Sequence, residues 1–347
     1  MTKTSRPTLL VGSVNLNNAE EVLSTAGTIL GDSLRAIPDG ETGVRLGWWA
    51  WQEDVFKRAP FLERKSADKG GVFEAGYDLF VGFSAKGDLA DARFDKLGYA
   101  DAAIESYQLF KALRDKGTIP EGVRFQVSLP TPIAPLAAML EPDDYLKIEP
   151  IYDAAMREEI RQICEAIPAE DLAIQWDAAM EIGVLEGLPL PGGKNIFHDP
   201  MNDMASRVIK VIGWVPQGVA AGLHLCYGDH EHKHWKEPKD TRVMVDLANA
   251  IFAGATRTID WIHLPVPRSR DDDAYFAPLE ELKLPSETQL YLGLVHHTDG
   301  LEGGKRRMAA ATRYAPEFGV ATECGLGRRP PETIPDVMKL MATLASR

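Results

Sequence analysis

Eight short apolar, β-branched runs recur along the chain, and most end in residues with chemical capacity. They are TLLVGSV (8–14), SLRAIPDGE (33–41), VRFQVSLP (123–130), DLAIQWD (171–177), VAAGLHLCY (219–227), TIDWIHLP (258–265), QLYLGLVHH (289–297) and FGVATECG (318–325). Near-continuous apolar character predicts parallel strands buried on both faces. Between them lie segments whose apolar residues recur at helical spacing: 17–30, 100–117, 148–167, 241–254 and 302–315. Gly117 and Gly254 stand where helices commonly stop.

Strand–helix alternation carried through eight strands predicts an α/β fold, a (β/α)8 TIM barrel spanning 1–347 as a single domain. A doubly wound open sheet is the alternative. The first strand is followed by neither a GxGxxG nor a phosphate-binding loop, which weighs against nucleotide-binding versions of that fold. The stretch 42–98, rich in Trp, Gly and Lys, reads as an inserted arm or lid after the second strand. It contains YDLFVGF (77–83), which is either part of that arm or a further strand.

Composition narrows the function classes. The chain has 347 residues, 45% of them hydrophobic, enough for a large core. A net charge of −13 with only short basic clusters, GGKRRMAAATR (303–313) and GRRP (327–330), argues against nucleic-acid binding. Apolar stretches stay shorter than the ~18 residues a membrane span needs. Three cysteines, Cys164, Cys226 and Cys324, do not make a disulfide framework and fit a reducing compartment. With no signal-peptide pattern at the N-terminus, the expectation is a cytoplasmic protein that acts on a small molecule, with homo-oligomers left open.

In barrels of this kind the chemistry sits at the C-terminal ends of the strands. There the sequence places Ser13, Asp39, Glu41, Asp177, His224, Cys226, His263, His296, His297 and Cys324. His224 and Cys226, two apart on one strand, share a face. A thiolate beside an imidazole suits Zn²⁺, and Cys324 at the last strand can reach the same rim. Each of these could equally be a core residue: a lone cysteine is commonly a small hydrophobe.

These segments resemble the cobalamin-independent methionine synthases, in their C-terminal catalytic barrel. HLCYGD (224–229) is similar to the family's H-x-C-Y segment and ECGLGRR (323–329) to its D-C-G-L motif. LAIQWD (172–177), VGSV (11–14), PDGE (38–41) and LVHH (294–297) resemble its other strand ends, in the family's order. The resemblance implies a (β/α)8 barrel in which His224, Cys226 and Cys324 bind a catalytic Zn²⁺ that holds a substrate thiol as a zinc thiolate for attack on a methyl or alkyl donor. It implies a substrate-holding role for Ser13, Glu41 and Asp177, and a proton-moving one for His296, with His297 its rival.

The departures are specific. The family's fourth ligand is a glutamate, and this chain has His263 in that place, which makes His263 the candidate fourth ligand. The family's D-E-P becomes Asp177-Ala178-Ala179, and nothing corresponds to its duplicated N-terminal half. The resemblance therefore does not carry over homocysteine or methyl-folate. The sequence supports a zinc-dependent methyl- or alkyltransferase first, taking a thiol and an alkyl donor. A zinc-dependent lyase or hydrolase of an oxygenated or aromatic substrate comes second, and a metal-binding protein without catalysis third. Asp39, Trp48 and Trp49 are candidate substrate contacts, with packing of the arm as the other reading of Trp48, Trp49 and Trp51. Cys164 reads as core, His198 as loop structure, Arg268, Arg270 and Asp271–Asp273 as rim ion pairs, and His230, His232 and His234 as loop residues near the pocket mouth.

Overall fold

A computed structural model describes residues 5–65, 82–188, 196–228 and 233–347. Its strands are β1 (Thr8–Leu9), β2 (Ala36–Pro38), β3 (Leu62–Arg64), β4 (Phe83–Ala85), β5 (Arg124–Pro130), β6 (Leu172–Ala178), β7 (Ala220–Leu225), β8 (Trp261–Pro265), β9 (Gln289–Val295) and β10 (Gly319–Thr322). Each of the eight apolar runs supplies one strand of a parallel sheet, ordered β1-β10-β9-β8-β7-β6-β5-β2. The two ends of that order meet at a parallel bridge between Thr8 and Leu34, just before β2. The sheet thus curls into a nearly closed barrel ringed by helices, the (β/α)8 TIM barrel. An open doubly wound sheet would leave those two edges apart.

Every residue of β6, β7 and β8 is buried. Their outward faces meet helices, and their inward faces fill the barrel, which explains runs that are apolar without alternation. At the N-terminal end of the barrel Trp261 and Tyr291 supply the volume, and Ala36, Ala173, Ala220 and Ala321 leave room for them. A Cβ on Gly222 would lie 2.0 Å from the Trp261 ring, so the strand beside that indole requires glycine. The indole N–H donates to Gln175 Oε1 at 3.0 Å, and Gln126 Nε2 donates to the Leu10 and Val11 carbonyls. These bonds satisfy the Trp261 and Gln126 donors, while the Gln126 Oε1 acceptor has no partner among the described residues.

The five expected helices form as Ala19–Ile29, Tyr99–Asp115, Pro142–Ala166, Arg242–Gly254 and Gly300–Ala311. The first is capped by Asn18, whose Oδ1 accepts from Glu21 N at 2.9 Å. Gly117, at φ 75, lies just past the second in the left-handed conformation of a helix stop. Two further long helices, Pro200–Ile212 and Ile334–Ala345, were not among those expected. Each carries proline in its first turn, a start signal that apolar periodicity alone passes over. No helix among the described residues is long and apolar enough to cross a membrane.

Of the stretch 42–98, residues 66–81 lie outside the described residues, and with them most of the run 77–83. Phe83 opens β4, which pairs antiparallel with β3 and is not in the barrel sheet. The described parts of the stretch are fastened down. Phe56, Phe61 and Phe94 form an aromatic cluster with Phe83 and with Tyr152 of the helix Pro142–Ala166, ring centroids 5.0–5.9 Å apart. From the same helix Glu159 accepts from the Leu97, Gly98 and Ala100 amides, so a carboxylate caps the N-terminus of Tyr99–Asp115.

At the opposite side of the barrel mouth, Arg307 is fully buried. It donates to the carbonyls of Leu294 and Arg268 and to both oxygens of Asp299. It therefore ties the loops after β8 and β9 to the helix Gly300–Ala311. Replacing Arg307 by Ala removes one member of a largely buried ion pair and leaves two carbonyls without a donor. Denaturant unfolding of Arg307→Ala is expected to show a loss of about 3–5 kcal/mol; a loss under about 1 kcal/mol would contradict the clamp.

Candidate metal centre and cavity

Register sets the first row of the site. Asp177 on β6 pairs with His224 on β7, and His224 pairs with His263 on β8, so the three side by side form one layer at the barrel mouth. Cys226 follows β7 directly, and its amide donates to the Ala178 carbonyl at 3.1 Å. Cys324 lies two residues past β10, in a turn where Thr322 Oγ1 donates to the Cys324 carbonyl at 2.7 Å. That turn is stitched to the first strand: Leu326 N donates to Ser13 O at 2.6 Å.

Closing the barrel brings the two thiols together. Cys226 Sγ and Cys324 Sγ are 3.6 Å apart, and Cys324 Sγ is 3.7 Å from His224 Nε2. Among the described residues, these three form a group able to hold a metal ion, with ligand atoms all within 4.8 Å of one another. A tetrahedral zinc with bonds of ~2.3 Å to sulfur and ~2.0–2.1 Å to nitrogen needs ligand edges of roughly 3.6–3.8 Å. The donor set and these edges fit Zn²⁺, with a further position left for substrate.

His263, the expected fourth ligand, has both of its ring nitrogens against protein groups. Its Nε2 donates to the Thr322 carbonyl at 3.0 Å, and its Nδ1 faces His224 Nδ1 at 2.7 Å. Both contacts are short, and His263 is not in the group of ligand atoms that gathers at the thiols. Burial pushes both imidazoles toward their neutral forms, His263 down to about 3 and His224 well below its usual range, with the neighbouring His263 adding to the effect on His224.

Two carboxylates are buried near the thiols, Asp177 within reach of the charges of both Glu41 and Cys226. Ser13 Oγ donates to Glu41 Oε2 at 2.5 Å, and Gln175 Nε2 donates to Asp177 Oδ1 at 2.9 Å. Burial raises Glu41 to about 7, against the Ser13 hydrogen bond and the Arg45 charge. Burial raises Asp177 well above the carboxylate range, and the nearby Glu41 charge raises it further. Asp39 is already used: it pairs with Arg45 at 2.6 Å, accepts from Ser106 Oγ at 2.7 Å, and accepts from Glu41 N at 2.9 Å. It holds the turn in which Glu41 takes a φ of 49, a left-handed conformation unusual for a non-glycine residue.

The three tryptophans separate. Trp49 is in the core, and Trp51 packs edge-on against Tyr99 at 4.8 Å. Trp48 differs: its φ is 57, and its buried indole N–H has no hydrogen-bond partner among the described residues.

A cavity of about 500 Å³ opens on the Cys324 side. Its walls include Cys226, Cys324, His234, His296, His297 and Glu323. His296 and His297 follow the end of β9 and both line it, so strand alternation does not separate them. His296 Nε2 donates to the Val266 carbonyl at 2.8 Å, leaving Nδ1 3.6 Å from Glu323 Oε2. The other Glu323 oxygen accepts from His234 Nε2 at 2.9 Å. Burial lowers His296. His234 is also buried against its charge, but the hydrogen bond and charge of Glu323, with Glu237 beyond, raise it to about 9. Two imidazoles thus flank the Glu323 carboxylate, His296 pushed down by burial and His234 pushed up by Glu323, with His297 also on the cavity wall.

Sequence reasoning missed Glu323, which stands beside Cys324 in the ECG motif, and placed His234 merely in a loop. His230 and His232 lie outside the described residues. It also missed Glu181, in the first turn of the helix Met180–Leu185. That side chain is fully buried, neither carboxylate oxygen has a hydrogen-bond partner among the described residues, and burial raises it to about 7.

Neither a protein-family model nor a curated protein matches the chain. Solved structures do. A Listeria monocytogenes protein assigned as a vitamin-B12-independent methionine synthase is 14% identical, with a TM-score of 0.61 over 99% of this chain and 98% of its own. A B12-independent methionine synthase from Shewanella sp. W3-18-1, solved with selenomethionine, is 14% identical, with a TM-score of 0.63 over 99% and 97%. At that identity the likeness is one of fold.

The buried carboxylates make a pH prediction. A carboxyl raised on folding contributes stability that is complete below its unfolded pKa, near 4.5 for Glu41, and lost as pH rises through about 7. The urea midpoint of Glu41→Gln, compared with the unsubstituted chain, should fall less between pH 5 and pH 8. Equal falls in both proteins would remove Glu41 from the set of protonated buried acids.

Proposed function

We propose that this chain is a metal-dependent enzyme that transfers a methyl or alkyl group to the thiol of a small substrate. The observation that carries the reading is the meeting of His224, Cys226 and Cys324 within 4.8 Å of one another, with both edges at Cys324 of the length a tetrahedral zinc requires. Zn²⁺ held by these three would keep a substrate thiol ionised near neutral pH, where a free thiol with pKa near 8.5 is only a few per cent thiolate. The likeness of fold to the two methionine synthase structures supports the same reaction class.

The remaining residues take roles from their surroundings. Glu41 and Asp177 are buried acids whose neighbouring cation, Arg45, is already paired with Asp39. A substrate ammonium entering beside them would displace their protons and relieve that cost. This favours an amino thiol, oriented by Ser13 and Glu41 with its sulfur towards Cys226. Trp48 offers an indole N–H to substrate. The second substrate would occupy the 500 Å³ cavity, where His234, held by Glu323, can give up a proton to the departing group and His296 can accept one. The described parts of 42–98 serve as an arm packed on the barrel, not as a separate domain.

The histidine–glutamate set favours a second reading, cleavage of an oxygenated substrate in that cavity by the same metal and acid–base groups. Turnover of such a substrate with no thiol added would establish the second reading and displace the first.

Metal analysis and thiol titration test the metal centre together. The purified chain should carry about one zinc, and both Cys226 and Cys324 should resist alkylation until a chelator removes it. Cys164, raised to about 11 by burial, should react slowly throughout. Cys226→Ala with Cys324→Ala should abolish stoichiometric zinc. Zinc retained by that double variant would sink the proposal.

A further inference from the structure

Thr322 O is a backbone carbonyl and can only accept, so the ring nitrogen facing it, His263 Nε2, carries a proton. The Nδ1 atoms of His224 and His263 are 2.7 Å apart, a distance that calls for one proton between them. Both rings are buried, and the partners of His263 are a carbonyl and the other imidazole, so burial favours the uncharged pair: His263, protonated on Nε2, accepts at Nδ1, and His224 holds the shared proton on Nδ1. The Nε2 of His224 is then left bare, and that is the atom 3.7 Å from Cys324 Sγ. A histidine needs this tautomer to bind a metal through Nε2.

The same imidazole spans two parts of the site. His263 sits opposite His224 in register, while its other end reaches across β9 to Thr322, two residues before Cys324. The carbonyl it takes lies where the register of β10 against β9 shifts. The backbone there passes close over Gly293 of β9: a Cβ on that residue would lie 2.6 Å from Glu323 Cα and 2.8 Å from Thr322 O. A fully buried histidine thus connects the strand bearing His224 to the turn bearing Cys324.

We propose that His263 is a positioning residue: it fixes the metal-binding tautomer of His224 and sets the spacing between His224 and Cys324 without ligating the metal. The inference rests on reading His224, Cys226 and Cys324 as ligands. It separates this chain from a four-ligand site, and it leaves the metal with two thiolates and one neutral imidazole, a set whose charge balances Zn²⁺. Metal-ligating histidines commonly donate their second N–H to an outer partner, and loss of that partner typically costs 10–100-fold in affinity.

The test combines titration, spectroscopy and NMR on the full chain. His263→Leu should bind Zn²⁺ and Co²⁺ at one per chain, about 10–100-fold more weakly. The cobalt-loaded variant should keep its thiolate charge-transfer band and a tetrahedral visible spectrum. His263→Gln, which can accept from His224 and donate to Thr322 O, should recover most of the affinity. Gly293→Ala, which pushes the Thr322 carbonyl outward, should weaken binding in the same direction. Unchanged affinity in His263→Leu, or a cobalt spectrum showing a lost nitrogen ligand, would overturn the inference. Should His263→Leu fail to fold, ¹⁵N NMR of the unsubstituted, metal-free protein decides: a proton on Nδ1 of His224 and on Nε2 of His263 supports it, and the reverse tautomers refute it. If the unsubstituted chain takes up no zinc, the ligand reading fails by itself, and the tautomers still report on the His224–His263 pair.

Discussion

Two thiols separated by 98 positions in the chain stand 3.6 Å apart, and that separation depends on closure of the barrel. Cys226 leaves the end of β7 and Cys324 the turn after β10, with β8 and β9 between them in the sheet. The curl of the sheet lets residues from non-neighbouring strands converge over its mouth. An open sheet of the same strands would hold these thiols several strand spacings apart. The joint between Thr8 and Leu34, where the sheet closes, is therefore a condition of the site.

Around the thiols, burial sorts the ionisable groups by partner. Glu41, Asp177 and Glu181 lie where carboxylates are poorly solvated and are pushed towards their protonated forms. His224 and His263 are pushed towards neutrality by the same desolvation, which suits ligation through nitrogen. His234 goes the other way because Glu323 holds it. In the proposed function the buried carboxylates would receive a substrate ammonium, and the His234–Glu323–His296 group would exchange protons with the second substrate.

The architecture was legible in the sequence because the buried strands of a parallel barrel are apolar almost without interruption, and each of the eight runs became a strand. The convergence of His224 and Cys226 was legible because a spacing of two puts side chains on one face of a strand. The partners of His263 were not: position on a strand end says nothing about which ring nitrogen has a partner, and its second partner is a carbonyl supplied by the β10 irregularity. Asp39 read as a substrate contact because it ends a strand, yet the tertiary structure brings Arg45 and Ser106 onto it. Glu323 and Glu181 escaped notice for the opposite reason. A glutamate in a turn or a helix's first turn is ordinarily solvated, and only packing removes the water.

The most direct measurement of the central claim is X-ray absorption at the zinc edge on the loaded protein, before and after addition of an amino thiol. Two sulfurs and one imidazole nitrogen from the protein are expected at first, and a third sulfur at about 2.3 Å once the thiol is present. A zinc shell of oxygen and nitrogen alone, or a sulfur count that the thiol leaves unchanged, would contradict thiol activation at this site.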